Sequence, residues 1–166
     1  IHSPSQAEVR AAGAAILDIG GESTRPGAIR PGVAEEFDRV IPVVAGLRSA
    51  SDVLISVDTS EPAVMAAATA AGADMLNDIR ALGRPGALAA AVAAGVPVCL
   101  MHMQGTPATM QQEPHYQDVF SEVLAFLIGR VAACVAAGLP RESLIIDPGF
   151  GFGKTLGHNL TLLRRL

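Results

Sequence analysis

The sequence predicts an α/β fold in which strand, loop and helix repeat, closing as a (β/α)8 TIM barrel. Three observations carry that expectation. Four alanine-rich stretches end in Ala-Ala-Gly and run within a few residues into an apolar segment that closes on polar residues: AAGAAILDIGG, AAGADMLNDI, AAGVPVCLMH and AAGLPRESLIIDPG. The apolar segments are short and nearly uninterrupted, the pattern of parallel strands covered on both faces. Polar residues then gather where each strand ends, at Asp18, Asp58, Asn77 with Asp78, His102 and Asp147. In a closed barrel those ends form one rim, and active sites sit on it. A doubly wound sheet binds ligand only near its switch point, so five polar ends favour the barrel.

Each element follows from local chemistry. Gly13, Gly72, Gly95 and Gly138 suit the left-handed position just past a helix end, where a Cβ is strained. The amphipathic stretch EEFDRVIPVVAGLRSA is the helix before the strand in VLISVDTS, with Ser and Asp taking the place of glycine. Ser60 before Glu61 and Pro62 reads as the N-cap of the next helix. Eight strands close such a barrel. Five are counted, so the expectation is one domain over residues 1–166, with about five βα units present and the first and last units missing.

The 166 residues carry a formal net charge of -4 and a pI near 5.5. That balance exerts no general pull toward nucleic acid or anionic membrane, so an anionic ligand needs a local site. Cys99 and Cys134 lie in apolar runs outside any CxxC or His-rich cluster and read as reduced, buried small hydrophobes of a cytoplasmic protein. Gly, Pro or charge interrupts every apolar run before the eighteen or so residues of a membrane span, so no membrane-crossing helix is expected.

The loop DPGFGFGKT, Asp147 to Thr155, imitates a phosphate-binding P-loop. Its spacing argues against that reading. The pattern needs Gly, four residues, then Gly-Lys-Ser/Thr. The position five before Gly153 is Pro148, which has no N–H to offer a phosphate.

Side chains alternate along a strand, so Leu54, Ser56 and Asp58 share one face. The same parity groups Asn77 with Met75 and Ile79, Met101 with Cys99, and Asp147 with Ile145. If that face is the barrel interior, two carboxylates, an amide and a thioether converge on apolar walls. Such a lining fits a flat nitrogen-rich heterocycle: carboxylates accept from amidine-type N–H pairs, Asn meets a mixed edge, and Met packs on the ring. The plainer alternative is that Asp58 and Asp147 cap the loops that follow them. The stretch GGESTRPGAIRPG is long and polar, either a mobile lid or a solvated connection. Arg25 and Arg30 within it suit a carboxylate or a phosphate. His102 has no second His or acid at ligand spacing and reads as a hydrogen-bonded structural residue, not a metal ligand.

Five stretches, DIGGESTRPGA (18–28), SVDTS (56–60), NDI (77–79), MHMQGTP (101–107) and DPGFGFGKT (147–155), occur in one order over nearly the whole chain. With them the sequence strongly resembles the dihydropteroate synthases of folate biosynthesis. The resemblance implies a (β/α)8 barrel that condenses 6-hydroxymethyl-7,8-dihydropterin diphosphate with p-aminobenzoate, giving 7,8-dihydropteroate and pyrophosphate. It implies that Asp58, Asn77 and Asp147 hold the pterin edge, with Ile79 and Met101 against its ring. Asp58 would also offset the positive charge that develops in the reaction. Thr24, Arg25, Pro26 and Phe152 would lie by the p-aminobenzoate, Thr24 also by the diphosphate, and Lys154 would border the site. Mg2+ would neutralise the leaving diphosphate, with its ligand outside these residues and no metal ligand among them; the full-length protein would be a homodimer. The family's opening strand with a metal-binding Asn, and its late strands with a pterin-contacting Lys and a diphosphate-gripping Arg and His, have no counterpart here. A pterin-binding methyltransferase acting on methyltetrahydrofolate would share the pocket but has no use for the STRPG loop; a non-catalytic pterin-binding homologue would share the pocket too.

Overall fold

A computed structural model describes residues 13–25 and 27–166. In order they form β1 (Ile16–Gly20), α1 (Val33–Ala50), β2 (Leu54–Asp58), α2 (Pro62–Ala70), β3 (Met75–Asp78), α3 (Ala87–Ala94), β4 (Val98–Met101), α4 (Val119–Ala136), a 3-10 turn (Arg141–Ser143), β5 (Leu144–Asp147) and α5 (Leu156–Leu163). All neighbouring strands pair in parallel, and in chain order, β1-β2-β3-β4-β5. Among the described residues the order never reverses and no switch point occurs, which is the arrangement of a barrel wall and not of a doubly wound sheet.

The two faces of the sheet differ as parity demands. On the outer face Leu17, Ile55, Val57, Leu76, Val98 and Leu100 pack under the helices, meeting Val40 and Val44 of α1, Val64 and Met65 of α2 and Ala87 and Ala91 of α3. Full burial of an aliphatic side chain stabilises by about 1.5–3 kcal/mol, so this face holds the strands in place. The inner face lies open. Ile16, Leu54 and Ile145 are 48%, 51% and 47% exposed there, in positions that a closed barrel fills with packed side-chain layers.

Three helix stops fall where the glycines predict, with Gly72, Gly95 and Gly138 at φ of 107°, 65° and 107°; Gly13 has a φ of 82°, and the helix expected before it lies outside the described residues. The start of α2 differs. Its N-cap is Glu61, with Pro62 at the first helical position and no side-chain cap. Ser60, expected to cap it, donates instead to Asp78 Oδ1 and accepts from Arg80 Nη1 at 2.9 Å. Asp78 is fully buried, and a buried carboxylate short of donors costs more than one uncapped helix N–H.

α4 corrects a second expectation. Val119–Ala136 is 18 residues with a mean hydropathy of 1.9, long and apolar enough to cross a membrane, because only Glu122 and Arg130 interrupt it. In this fold Cys134 enters the core with Leu76 and Leu100, while Val119, Val123 and Leu127 pack on Leu162 of α5. Arg130 donates to the carbonyls of Ala81 and Leu82 at 2.8 and 3.1 Å. That pins the β3–α3 loop, whose residues Ala81 and Leu82 have φ of 48° and 58°, a backbone region that costs a non-glycine residue roughly 1–3 kcal/mol.

Candidate functional site

Register carries the polar strand ends onto one face. Asp18 pairs with Ser56, and Gly20 with Asp58. Asp58 pairs with Asn77, Asn77 with Cys99, and Met101 with Asp147. Asp58, Asn77 and Asp147 therefore share the inner face with Met75, Cys99 and Met101, at the carboxyl ends of four adjacent strands. Met101 and Ile79 are buried beside them. Cys99, on this face, is held by burial and nearby carboxylates at a pKa of about 11 and is a thiol, not a thiolate.

The three polar side chains are not equivalent. Asn77 donates from Nδ2 to Asp18 Oδ2 at 3.2 Å. Asp147, on the same inner face, accepts the Gly149 N–H on Oδ1 at 2.7 Å and so also caps its own loop. Asp58 accepts no hydrogen bond from a described residue. Burial, and then the negative charges of Asp18, Asp78, Glu22 and Glu36, raise its pKa from 3.8 to about 7. A carboxyl group in that condition is stabilised by any ligand that brings N–H donors or positive charge.

The glycine-rich loop turns inward. Lys154 is 4% exposed. Its Nζ shares three N–H among four acceptors, the carbonyls of Gly149 and Phe152 at 2.9 Å each, His102 Nδ1 at 3.0 Å and, at 3.3 Å, the His102 carbonyl. The N–H groups of Gly149, Gly151 and Phe152 go to Asp147, Asn159 Oδ1 and the Gly149 carbonyl. A phosphate cradle needs such donors free. Here they are committed, so geometry excludes the P-loop as spacing does. Lys154, expected at the border of the site, turns its amine inward and braces the loop from inside.

His102, read as structural from its surroundings, closes this brace. Accepting on Nδ1 requires the neutral tautomer with its proton on Nε2, and burial together with the Lys154 charge lowers its pKa to about 4. Phe126 meets the ring edge-on at 5.0 Å. Burial lowers Lys154 to about 8, with Asp147 acting in the opposite direction, so the amine remains a cation at neutral pH. Lys154→Met leaves its acceptors unpaired and is expected to cost about 2–3 kcal/mol. The His102 ring then titrates above its present value, because one of the two causes that lower it is gone. Urea unfolding and an NMR titration of the imidazole check both; an unchanged His102 titration would refute the brace.

The loop after β1 is tied at both ends. Glu22 receives Arg80 on both oxygens, at 2.8 and 3.2 Å, and Arg30 Nε lies 3.6 Å away. Arg30 and Arg84 both reach Glu61 Oε1, so Arg30 serves the protein's own carboxylates. Between these ties Thr24 is partly buried and Arg25 exposed, and no described side chain engages the Arg25 guanidinium. Pro26 lies outside the described residues. Phe152 is partly buried on the loop after β5. The Glu22, Glu61, Arg80 and Arg84 network, with Asp78 beneath it, escaped the sequence reading. The one available signal was parity, which turns Asp78 away from Asn77 and toward the loops.

A family model described as pterin binding enzyme matches residues 5–166. The chain belongs to this family. Dihydropteroate synthase of Escherichia coli (strain K12) is 57% identical over 155 residues, covering 93% of this chain and 55% of that protein. The solved Yersinia pestis dihydropteroate synthase with a sulfonamide drug complex superposes with a TM-score of 0.93 at 52% identity, over 96% of this chain and 58% of that one. The Xanthomonas albilineans dihydropteroate synthase with 4-aminobenzoic acid gives 0.89 and 51%, over 95% and 56%. The chain thus spans a little over half the length of these relatives, and its five-stranded sheet is part of the family's TIM barrel.

Proposed function

We propose that the complete protein is a dihydropteroate synthase that joins 6-hydroxymethyl-7,8-dihydropterin diphosphate to p-aminobenzoate. The observation that carries the reading is Asp58, a carboxyl group at a strand end with no hydrogen bond from a described residue, beside Asn77 and Asp147 on one face. The relatives bearing that enzyme name support it, as does 4-aminobenzoic acid in one solved relative. In this reading Asp58, Asn77 and Asp147 accept and donate along the pterin edge, and Ile79 and Met101 pack on its ring. Thr24, Arg25, Pro26 and Phe152 border the p-aminobenzoate, with Thr24 also near the diphosphate.

The chemistry exchanges one bond for another. The C–O bond from the pterin methylene to the diphosphate breaks, the amine nitrogen of p-aminobenzoate bonds to that carbon, and the nitrogen loses a proton as pyrophosphate leaves. Positive charge on the pterin methylene peaks between these events, and a fixed carboxylate such as Asp58 stabilises it. No group of three or more His, Cys, Asp or Glu side chains is placed to hold a metal among the described residues. Mg2+ at the leaving diphosphate is part of the family expectation, with its ligand outside these residues. A homodimer working in the cytoplasm belongs to the same reading.

The test is a condensation assay on the complete protein with both substrates and Mg2+, following pyrophosphate and 7,8-dihydropteroate together. Equal yields of the two are expected. A protein that binds a free pterin yet forms neither product would overturn the reaction and leave only the pocket.

A further inference from the structure

Asp18 lies in the middle of β1 on the inner face, yet nothing in the proposed reaction uses it. The only hydrogen-bond partner of its side chain among the described residues is Asn77 Nδ2, at 3.2 Å. The two residues sit on strands separated by β2, so the contact spans two inter-strand spacings, about 10 Å between backbones. Asp18 is in register with Ser56 and Asn77 with Asp58, so the contact runs diagonally across β2. Ser56 is short and buried, and its hydroxyl makes no hydrogen bond among the described residues.

This contact decides which end of the Asn77 amide faces the cavity. An ionised carboxylate only accepts hydrogen bonds, so it must hold the NH2 end of Asn77 and turn Oδ1 away. We infer that Asp18 is a positioning residue for the pterin pocket: it fixes the Asn77 amide so that its carbonyl oxygen meets an N–H on the ring edge of the ligand. The inference rests on the pterin reading of the pocket and adds a residue to it. The charge of Asp18 has a second effect, because it is the largest of the neighbouring charges that keep the Asp58 proton in place. Asp78 of β3, Glu22 of the loop after β1 and Glu36 of α1 act on Asp58 in the same sense.

The two effects separate in two variants of the complete protein. Asp18→Ala removes the acceptor; Asp18→Asn keeps an amide oxygen for Asn77 Nδ2 but removes the charge. Calorimetric binding of 6-hydroxymethylpterin is expected to weaken about tenfold in Asp18→Ala, the effect of one lost hydrogen bond, and to stay within threefold of wild type in Asp18→Asn. In Asp18→Asn the acid limb of kcat/KM moves to lower pH. A double-mutant cycle excludes a merely structural effect: in an Asn77→Ala background the further change Asp18→Ala is expected to alter binding by less than twofold. Equal losses of affinity with and without Asn77, or wild-type binding in Asp18→Ala, overturn the inference. Asp58→Asn, measured alongside, tells the two failures apart. If it weakens pterin binding while the Asp18 variants are silent, only the role of Asp18 falls; if it too binds as wild type, the pocket reading falls with it.

Discussion

Asp58→Asn lowers turnover of the complete protein by about 10²–10³-fold, the loss expected when one fixed group that stabilises transition-state charge is removed from a partly desolvated site. The substitution changes charge and hardly changes shape, so the fold is retained. The same residue sets the pH dependence. Asp58 titrates near 7 in the folded chain against an ordinary 3.8. Only the ionised form can offset the pterin cation, so kcat/KM of the wild type falls as pH drops through about 7, and Asp58→Asn has no such limb. Stability runs the other way. Between about pH 4 and 7 the folded state holds a proton that the unfolded state has lost, so the Asp58 contribution favours folding below 4 and is lost as pH rises through 7. Asp58→Asn removes that slope and unfolds at a higher temperature than wild type at pH 8. Thermal unfolding at pH 5 and 8, with pH–rate profiles of both proteins, checks the set. An acid limb that survives in Asp58→Asn would assign the titration to another group.

How much of this was legible follows from which interactions are local. Strand positions, helix stops and the inner-face set of Asp58, Asn77 and Asp147 depend on period-two alternation and on glycine past helix ends, both written into neighbouring residues. Interactions between distant loops leave no such trace. Arg80 and Glu22 are 58 residues apart, and Arg30 and Glu61 are 31 apart; no spacing rule joins them. Ser60 shows the limit most plainly. Its local context is that of a helix cap, but a buried carboxylate 18 residues later claims the hydroxyl. The contacts of Lys154 were hidden for a related reason. The family resemblance placed it at the border of the site, but not where its amine points: that depends on the Gly149 and Phe152 carbonyls of its own folded loop and on the approach of the loop after β4, which carries His102.

That approach is what Gly149 permits, and Gly149→Ala is the second large effect expected. Two costs add. At a φ of 69° an alanine is strained by roughly 1–2 kcal/mol. A Cβ built there would also lie 2.0 Å from the His102 carbonyl oxygen and 3.1 Å from Met101 Cγ, so backbone must move. The His102 N–H, which bonds the Asp147 carbonyl at 2.9 Å, and the Lys154 contacts to both His102 and Gly149 lie in the path of that movement. A total loss of about 3–5 kcal/mol in unfolding free energy is expected. Gly151→Ala is the internal control. It has a φ of 82° with nothing within 4 Å of its added Cβ, so it meets the conformational cost alone, about 1 kcal/mol. Urea unfolding of the two variants in the complete protein separates steric contact from backbone strain. Equal losses would mean that the two loops can part freely at Gly149, and that the close approach of the β4 and β5 loops does not hold Asp147 at the pocket.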